Sequence, residues 1–264
     1  MRIFAVDWSG ARDEAEQRKK IWIAEARDGR VIRLEAGRTR DEVADWFIRE
    51  ATTTPAMRIG FDFAFGFPAW FARQHGCQTA VDVWQLAARE GHAWLADSPE
   101  PFWGRNTTRP DLGDPARHWR AADIDVAPVA GIRPKSTFQI GGAGAVGTAT
   151  IRGMRTLQQL HAAGIAIWPF DAPTVDRPAA FEIWPRTLTG PVVKSSTRER
   201  IGVLGRYAQS IPSGPRELAA SSEDAFDAAI AALALDAHRD ALLHLPAARS
   251  DDERLEGRIW LPPR

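Results

Sequence analysis

The chain has 264 residues, 44% of them hydrophobic, which is enough for one large α/β domain or a smaller core with an inserted lobe. Its 34 basic residues balance 34 acidic ones, which excludes the strong positive field of a dedicated nucleic-acid-binding module. The single cysteine, Cys77, excludes an internal disulfide framework. The amino terminus turns polar too early for a signal peptide, and no apolar run approaches the roughly 20 residues that span a bilayer. We therefore expect a cytoplasmic protein with no membrane contact.

The first quarter of the chain predicts a mixed sheet. Residues 2–6 are apolar on both faces after the first position, as in a central strand covered by helices. Residues 20–26 and 31–34 flank an Asp-Gly pair, which favours a tight turn and an antiparallel hairpin. Residues 41–50 carry apolar side chains at helical spacing, and the apolar run 57–63 follows them. The predicted order is β-β-β-α-β.

The sequence changes character after this fourth strand. Residues 81–95 predict a helix, and the stretch 98–134 is rich in proline, arginine and tryptophan. We interpret residues 66–135, approximately, as a helical and irregular subdomain inserted into a single domain of residues 1–264. Further elements are predicted in the second half: a helix ending near residue 163, strands at 165–170 and 181–184, and helices at 197–209 and 222–237.

Five carboxylates interrupt or end these apolar segments, where an uncompensated charge is costly to bury. Asp7 and Asp62 end two strands, and parallel neighbours would bring both to one sheet edge, where open α/β sheets bind ligands. Glu182 interrupts a short strand, and Asp224 and Asp227 are three residues apart on one helix face. Carboxylate oxygens without histidine or cysteine suit Mg²⁺ or Mn²⁺, and two such ions can promote phosphodiester hydrolysis.

Each carboxylate also has a simpler structural explanation. Asp7 and Asp62 could cap the turns that follow them. Asp224 could be the acidic partner of Ser221 in a capping box, and Glu182 could face solvent on an edge strand. Asp227 is harder to explain in this way, because it lies beyond the first turn in a region apolar enough to be buried.

Four segments together resemble a prokaryotic family of unknown function that is described as predicted ribonuclease-H-like nucleases: residues 6–10 (VDWSG), 59–68 (IGFDFAFGFP), 181–185 (FEIWP) and 222–230 (SEDAFDAAI). The resemblance runs nearly end to end. It implies a ribonuclease-H-like mixed five-stranded sheet, with three antiparallel strands followed by parallel ones. It also implies catalytic acids at Asp7, Asp62, Glu182, Asp224 and Asp227. The last helix is similar to that of RuvC-type resolvases, where paired aspartates complete a metal site.

Other function classes compete with the metal-dependent nuclease. Residues 142–147 fit the GxGxxG pattern of dinucleotide sites, and Asp171 follows at the distance of a ribose-binding acid. A kinase-like or ATPase-like phosphotransferase shares the same core and a similar acidic first strand. A catalytically inert ribonuclease-H-like binding protein would keep the carboxylates without turnover.

Several basic residues are candidates for binding a nucleic-acid backbone. Lys135, Arg152 and Arg155 surround the glycine-rich segment and could hold a phosphate. Arg105 and Arg109 lie among tryptophans, a mixture that can stack bases and neutralise phosphates. A further basic stretch, which could face substrate or solvate a helix, comprises Arg186, Lys194, Arg198 and Arg200. The expected partner is DNA or RNA, whereas the oligomeric state is not specified by the sequence.

Overall fold

The computed structural model of the chain describes residues 1–104, 107–142 and 144–263. The strands in this part of the chain are β1 Arg2–Asp7, β2 Trp22–Arg27, β3 Arg30–Glu35, β4 Met57–Phe61, β5 Ala166–Ile167 and β6 Ala179–Glu182. The helices are α1 Glu14–Lys20, α2 Arg40–Thr53, α3 Ala69–Gln74, α4 Ala80–Asp97, α5 Ala121–Ile124, α6 Gly147–Ala162, α7 Arg186–Thr189, α8 Thr197–Arg206, α9 Ser213–Ser221, α10 Glu223–Ala237, α11 Arg239–Leu243 and α12 Glu253–Glu256. A short 3₁₀-helix covers Pro115–His118.

The strands form one mixed sheet in the order β3-β2-β1-β4-β6-β5. The hairpin of β2 and β3 pairs antiparallel with β1, whereas β4, β6 and β5 continue the sheet in parallel. The predicted α/β class and the change from antiparallel to parallel pairing are confirmed. The predicted count of five strands is wrong, because the two-residue strand β5 pairs outside β6 and adds a sixth.

Sequence periodicity also missed α1, which links β1 to β2. Only Gln17 is buried among its seven residues, so the segment has no apolar stripe to indicate a helix. Its amino terminus is nevertheless capped, because the Asp13 side chain accepts a hydrogen bond from the Glu16 amide at 3.1 Å. This short polar helix therefore forms on local capping rather than on burial.

The central strand β1 separates two hydrophobic cores, one on each face of the sheet. Phe4 and Val6 belong to the core that α2, α4 and α6 cover. Ile3 and Ala5, which point the other way, belong to the core that α10 covers. The continuous apolar run at residues 3–6 is thus explained by burial on both faces, as the sequence predicted.

The segment 66–135 contributes to the first of these cores. Phe67, Phe71 and Trp84 all lie within it and pack in the same cluster as Phe4 and Val6. Helix α4 lies against α6, while residues after 97 are mostly irregular. The segment therefore forms part of the layer that covers one face of the sheet. No helix in the described part of the chain combines the length and apolar character needed to cross a membrane.

Helix α10 is almost completely buried and is fixed at its carboxyl end by a charged side chain. The Asp236 carboxylate accepts a hydrogen bond from the Gly29 amide at 2.7 Å, which ties the helix to the β2–β3 turn.

At Gly60 on β4 an added Cβ would lie only 2.9 Å from Ile183 and 3.0 Å from Leu235. The glycine thus lets α10 approach the sheet closely.

We expect the substitution Gly153→Ala to destabilise the protein, because an added Cβ on α6 would lie 2.5 Å from the Phe63 ring in the core. Overpacking of this kind costs about 1–3 kcal/mol of unfolding free energy. Gly202→Ala on α8 is the matched control, since its Cβ would meet no described atom within 4 Å. That control should stabilise the helix by up to about 1 kcal/mol. Chemical denaturation of both variants tests this, and an undiminished stability of Gly153→Ala would contradict the close packing.

Candidate functional site

The first two candidate carboxylates follow directly from the pairing of β1 with β4. Val6 pairs with Phe61 in parallel register, and the Asp62 amide donates to the Val6 carbonyl at 3.0 Å. Asp7 and Asp62 therefore leave the two central strands side by side, at the carboxyl edge of the sheet. The parallel pairing on which this expectation depended is confirmed.

The alternation of side chains along β1 directs Asp7 toward α10. Because Phe4 and Val6 face the core under α2 and α6, Asp7 faces the other side with Ile3 and Ala5. Helix α10 places Asp227 on that side, where its side chain is 3% exposed. Asp224 lies one turn earlier on the same helix and is partly exposed.

One simpler explanation of these aspartates does not hold in the structure. The Asp224–Ser221 capping box is not formed, because Ser222 is the cap of α10 and accepts from the Ala225 amide at 3.3 Å. In the turn after β1, the Ser9 hydroxyl oxygen accepts from the Ala11 amide at 3.1 Å. Asp224 is therefore not the capping acid that the sequence allowed.

Burial raises the pKa of each of these four carboxyls, and the charge of a neighbouring acid adds to the rise in each case. Desolvation, followed by the charge of Asp62, raises the pKa of Asp7 well above its ordinary value. Desolvation and the charge of Asp227 raise the pKa of Asp62 to about 8. Desolvation also raises the pKa of Asp227 to about 6 and, in the same direction, that of Asp224. We call Asp7, Asp62, Asp224 and Asp227 the aspartate group, because burial raises the pKa of all four.

One lysine compensates part of this negative charge. The Lys194 ammonium forms an ion pair with Asp227 Oδ2. Burial lowers the pKa of Lys194, but the charges of Asp227, Asp62 and Asp7 outweigh that effect and the net shift is upward. Its loop is fixed by the buried Arg200, which donates to the carbonyls of Lys194 and Ala220. The sequence offered only a basic stretch here, and nothing in its local pattern distinguished Lys194 from its neighbours.

The structure places the Glu182 side chain on the other face of the sheet from Asp7, although its charge also raises the pKa of Asp62. Glu182 pairs with Phe61 and therefore points to the face opposite Asp7 and Asp62. Its carboxylate accepts from Arg120 at 2.6 and 2.7 Å and from the Phe65 amide at 3.0 Å. Burial raises the pKa of Glu182, and the Arg120 guanidinium opposes that rise. Only 3% of the residue is exposed, so the solvent-facing alternative is wrong, and the bidentate ion pair gives it a structural role.

The aspartate group has the ligand type that a divalent cation prefers, but its side chains are not close enough together to hold one. Its donors are all carboxylate oxygens, and buried Asp227 Oδ1 has no hydrogen-bond partner among the described residues. Yet among those residues no three His, Cys, Asp or Glu side chains stand close enough to hold a metal ion together. The two findings are compatible, since charges influence one another over longer distances than ligands span. An ion would require these side chains to come closer together.

The predicted phosphate-binding residues have different surroundings. Arg152 donates to the Gly10 carbonyl, and Arg155 Nε lies 3.3 Å from Asp41 Oδ1. Arg109 lies over the Trp119 ring, 5.7 Å from its centroid. Lys135 is exposed, and its side chain passes near Gly144. Arg105 lies outside the described residues.

The glycine-rich segment lacks the framework of a dinucleotide site. Residues 136–140 hold no strand of the sheet, and only an isolated bridge joins Gln139 to Trp103. A dinucleotide loop leads from a sheet strand into a helix, whereas here only the helix α6 is present. Asp171 Oδ2 accepts from the Ile167 amide at 2.7 Å, so this acid caps its own turn.

Without divalent ions, the stability of the protein should fall as the pH rises. The folded protein holds the Asp62 proton up to about pH 8, whereas the unfolded chain releases it near its ordinary value of 3.8. Stability is therefore highest below about pH 4 for this group and is lost between about pH 4 and about pH 8. Asp62→Asn should remove part of this slope and raise the unfolding free energy at pH 8 by about 1–3 kcal/mol. Denaturant titrations in EDTA across this range test it, and an unchanged slope would contradict the assignment.

Lys194→Met should destabilise the metal-free protein at neutral pH, because Asp227 would stay buried without its counter-charge. Loss of one partner of a buried pair costs 3–5 kcal/mol, and partial exposure of Lys194 reduces our expectation to about 1–3 kcal/mol. Lys19→Met, at a side chain that is 75% exposed, is the control. Thermal unfolding with and without Mn²⁺ measures the effect. If the aspartate group binds the ion, saturating Mn²⁺ should restore most of the loss.

No protein-family model matches the chain, and neither the curated proteins nor the solved structures contain a match to it.

Proposed function

We propose that the protein is a divalent-metal-dependent nuclease that hydrolyses phosphodiester bonds in DNA or RNA. The proposal depends on one arrangement: Asp7 on β1, Asp62 at the end of β4 and Asp227 on α10 interact at the carboxyl edge of the sheet. The charges of Asp62 and Asp227 raise the pKa of Asp7, and the charge of Asp227 raises that of Asp62. Such mutual repulsion is costly in a folded protein unless a cation relieves it. Perturbed carboxyls of this kind also concentrate at functional sites.

The order of the sheet agrees with this proposal. Three antiparallel strands followed by parallel ones, with α10 covering the face that carries Asp7, match the ribonuclease-H-like arrangement implied by the sequence resemblance. In that arrangement, β5 would be an added edge strand and residues 66–135 an insertion. The proposed nuclease is thus consistent with both the strand order and the position of the last helix.

The residues have separate roles in the proposed reaction. Asp7, Asp62 and Asp227 would hold Mg²⁺ or Mn²⁺, with Asp224 at the more exposed side of the group. The ion supplies Lewis-acid stabilisation of the charge that develops on the phosphodiester. Asp62, with a pKa of about 8, would release its proton when an ion binds at neutral pH. Glu182 would act indirectly, by holding Arg120 and the Phe65 backbone beneath β4.

Calorimetric titration of Mn²⁺ into the wild-type protein, Asp7→Asn and Asp227→Asn tests the proposal. We expect binding by the wild type with release of protons, seen as a dependence of the measured heat on the buffer, and no binding by either variant. Loss of an outer partner of a metal site typically costs 10–100-fold, so loss of a ligand should reduce cleavage of mixed DNA and RNA at least about 100-fold. Asp45→Asn, at an exposed position of α2, is the control.

Both asparagine variants should fold, because a neutral side chain relieves repulsion within the aspartate group. Their unfolding temperature in EDTA therefore distinguishes loss of the site from loss of the fold. Absence of Mn²⁺ binding by the folded wild type would contradict the proposal and would favour the inert binding protein. Stabilisation by ATP or by a nicotinamide cofactor, without any effect of Mn²⁺, would favour the phosphotransferase or the dinucleotide site instead.

A further inference from the structure

Four arginines line a cleft on the face of the sheet opposite Asp227. The cleft lies between α1, α2, α4 and α6 and has a volume of about 340 Å³, within the range of ligand sites. Its arginines are Arg12, Arg40, Arg152 and Arg155. The sequence analysis named only the last two, because Arg12 and Arg40 belong to segments that are distant in the sequence.

The cleft opens at the same edge of the sheet as the aspartate group. Helix α2 begins shortly after β3, whose last residue Glu35 pairs with Ile23 at the edge where Asp7 pairs with Trp22. Helix α6 also begins at this edge, since a Cβ on Gly10 would lie 2.7 Å from the Ala149 amide nitrogen. A linear ligand could therefore pass from one face to the other across the loop that follows Asp7.

That loop is held by two arginines of the cleft. Arg40 donates to the carbonyls of Ser9 at 3.1 Å and Ala11 at 2.7 Å, while Arg152 donates to the carbonyl of Gly10 between them. The two guanidinium groups are thus gathered around three consecutive residues. The neutral carbonyls of Ser9 and Ala11 orient the Arg40 side chain but leave its positive charge in place.

The cleft carries an excess of positive charge. Burial and the nearby charge of Arg152 lower the pKa of Arg40 to about 10, so the two arginines repel each other in the folded protein. Two acids, Glu14 and Asp41, also line the cleft. Asp41 is shared between Arg155 at 3.3 Å and Gln159 at 3.2 Å, and both members of its ion pair are exposed. Four arginines against two acids leave a formal excess of two positive charges.

We infer that this arginine cleft binds the sugar–phosphate backbone of a nucleic-acid strand and leads it across the loop 8–12 toward the aspartate group. Guanidinium groups match phosphate oxygens in a fork geometry, and two bound phosphates would neutralise the excess charge. A neutral net charge does not oppose such binding, because phosphate contacts act locally. The identity of the polyanion rests on the proposed nuclease function, whereas the anion site itself does not.

Fluorescence anisotropy of a short labelled single-stranded oligonucleotide, in EDTA so that no cleavage occurs, tests the inference. The variant is the double charge reversal Arg12→Glu with Arg155→Glu, since both side chains are exposed and hold no part of the fold. The control is Arg30→Glu with Arg49→Glu, which makes the same change in net charge at exposed positions near the opposite edge of the sheet. Thermal unfolding of both variants verifies that each is folded.

We expect the cleft variant to bind the strand at least about tenfold more weakly, uniformly across sequences, and the control to bind like the wild type. The dependence of log affinity on log salt should fall by about 0.7 for each phosphate contact that is lost. Equal affinity of the cleft variant and the control would overturn the inference. So would calorimetric binding of inorganic phosphate that is as tight as the strand, because the ligand would then be a small phosphate.

The same proteins, assayed with Mn²⁺, separate this inference from the nuclease proposal. Cleft-dependent binding without any cleavage would support the arginine cleft and contradict the nuclease. Metal-dependent cleavage with cleft-independent binding would support the nuclease and overturn the cleft. Cleavage that weakens with binding in the cleft variant, and persists in the control, would support both.

Discussion

The parallel pairing of β1 with β4 is the constraint on which the candidate site depends. The pair is buried on both faces, so its register is specified by two cores and a slip of one residue would turn Asp7 and Asp62 away from α10. The buried pairing of β1 with β4 thus holds these aspartates side by side despite their repulsion. Stabilisation by the apolar strands exceeds the electrostatic cost that their ends carry, as is common where a protein keeps a functional site.

The sheet and its layers were largely predictable because they follow from periodicity. Local sequence was enough to predict three features: the buried run at residues 3–6, the Asp-Gly turn and the alanine-rich α10. Helix α1 was not predicted, since it is polar. A strand was predicted at residues 165–170, but only the two residues of β5 pair with the sheet. The extent of residues 66–135 was visible as a change in composition, but its part in the core was not, because Phe67 and Phe71 join a buried cluster that includes residues as distant in the sequence as Phe4 and Leu160.

The candidate site was predictable in the residues that end strands and not in those that reach it from loops. Asp7, Asp62 and Asp227 stood out because charges in apolar surroundings are costly. Glu182 stood out for the same reason, but side-chain alternation along β6 turns it to the other face of the sheet, where it pairs with Arg120. No local sequence pattern indicates this pairing. Lys194 and Arg40 act on the site or beside it through contacts with residues more than 25 positions away, and such contacts leave no trace in the local sequence.

Helix α10 is attached at both ends by buried aspartates, and this has a mechanical consequence. Asp227 meets Lys194 at one edge of the sheet, and Asp236 meets the Gly29 amide in the β2–β3 turn at the other. The two aspartates are nine positions apart, about 13 Å along the helix axis, so sliding by one turn would break both contacts at once. We therefore expect α10 not to slide along its axis. Any movement of the carboxylates toward an ion would then come from side-chain rotation and from the loop that carries Lys194.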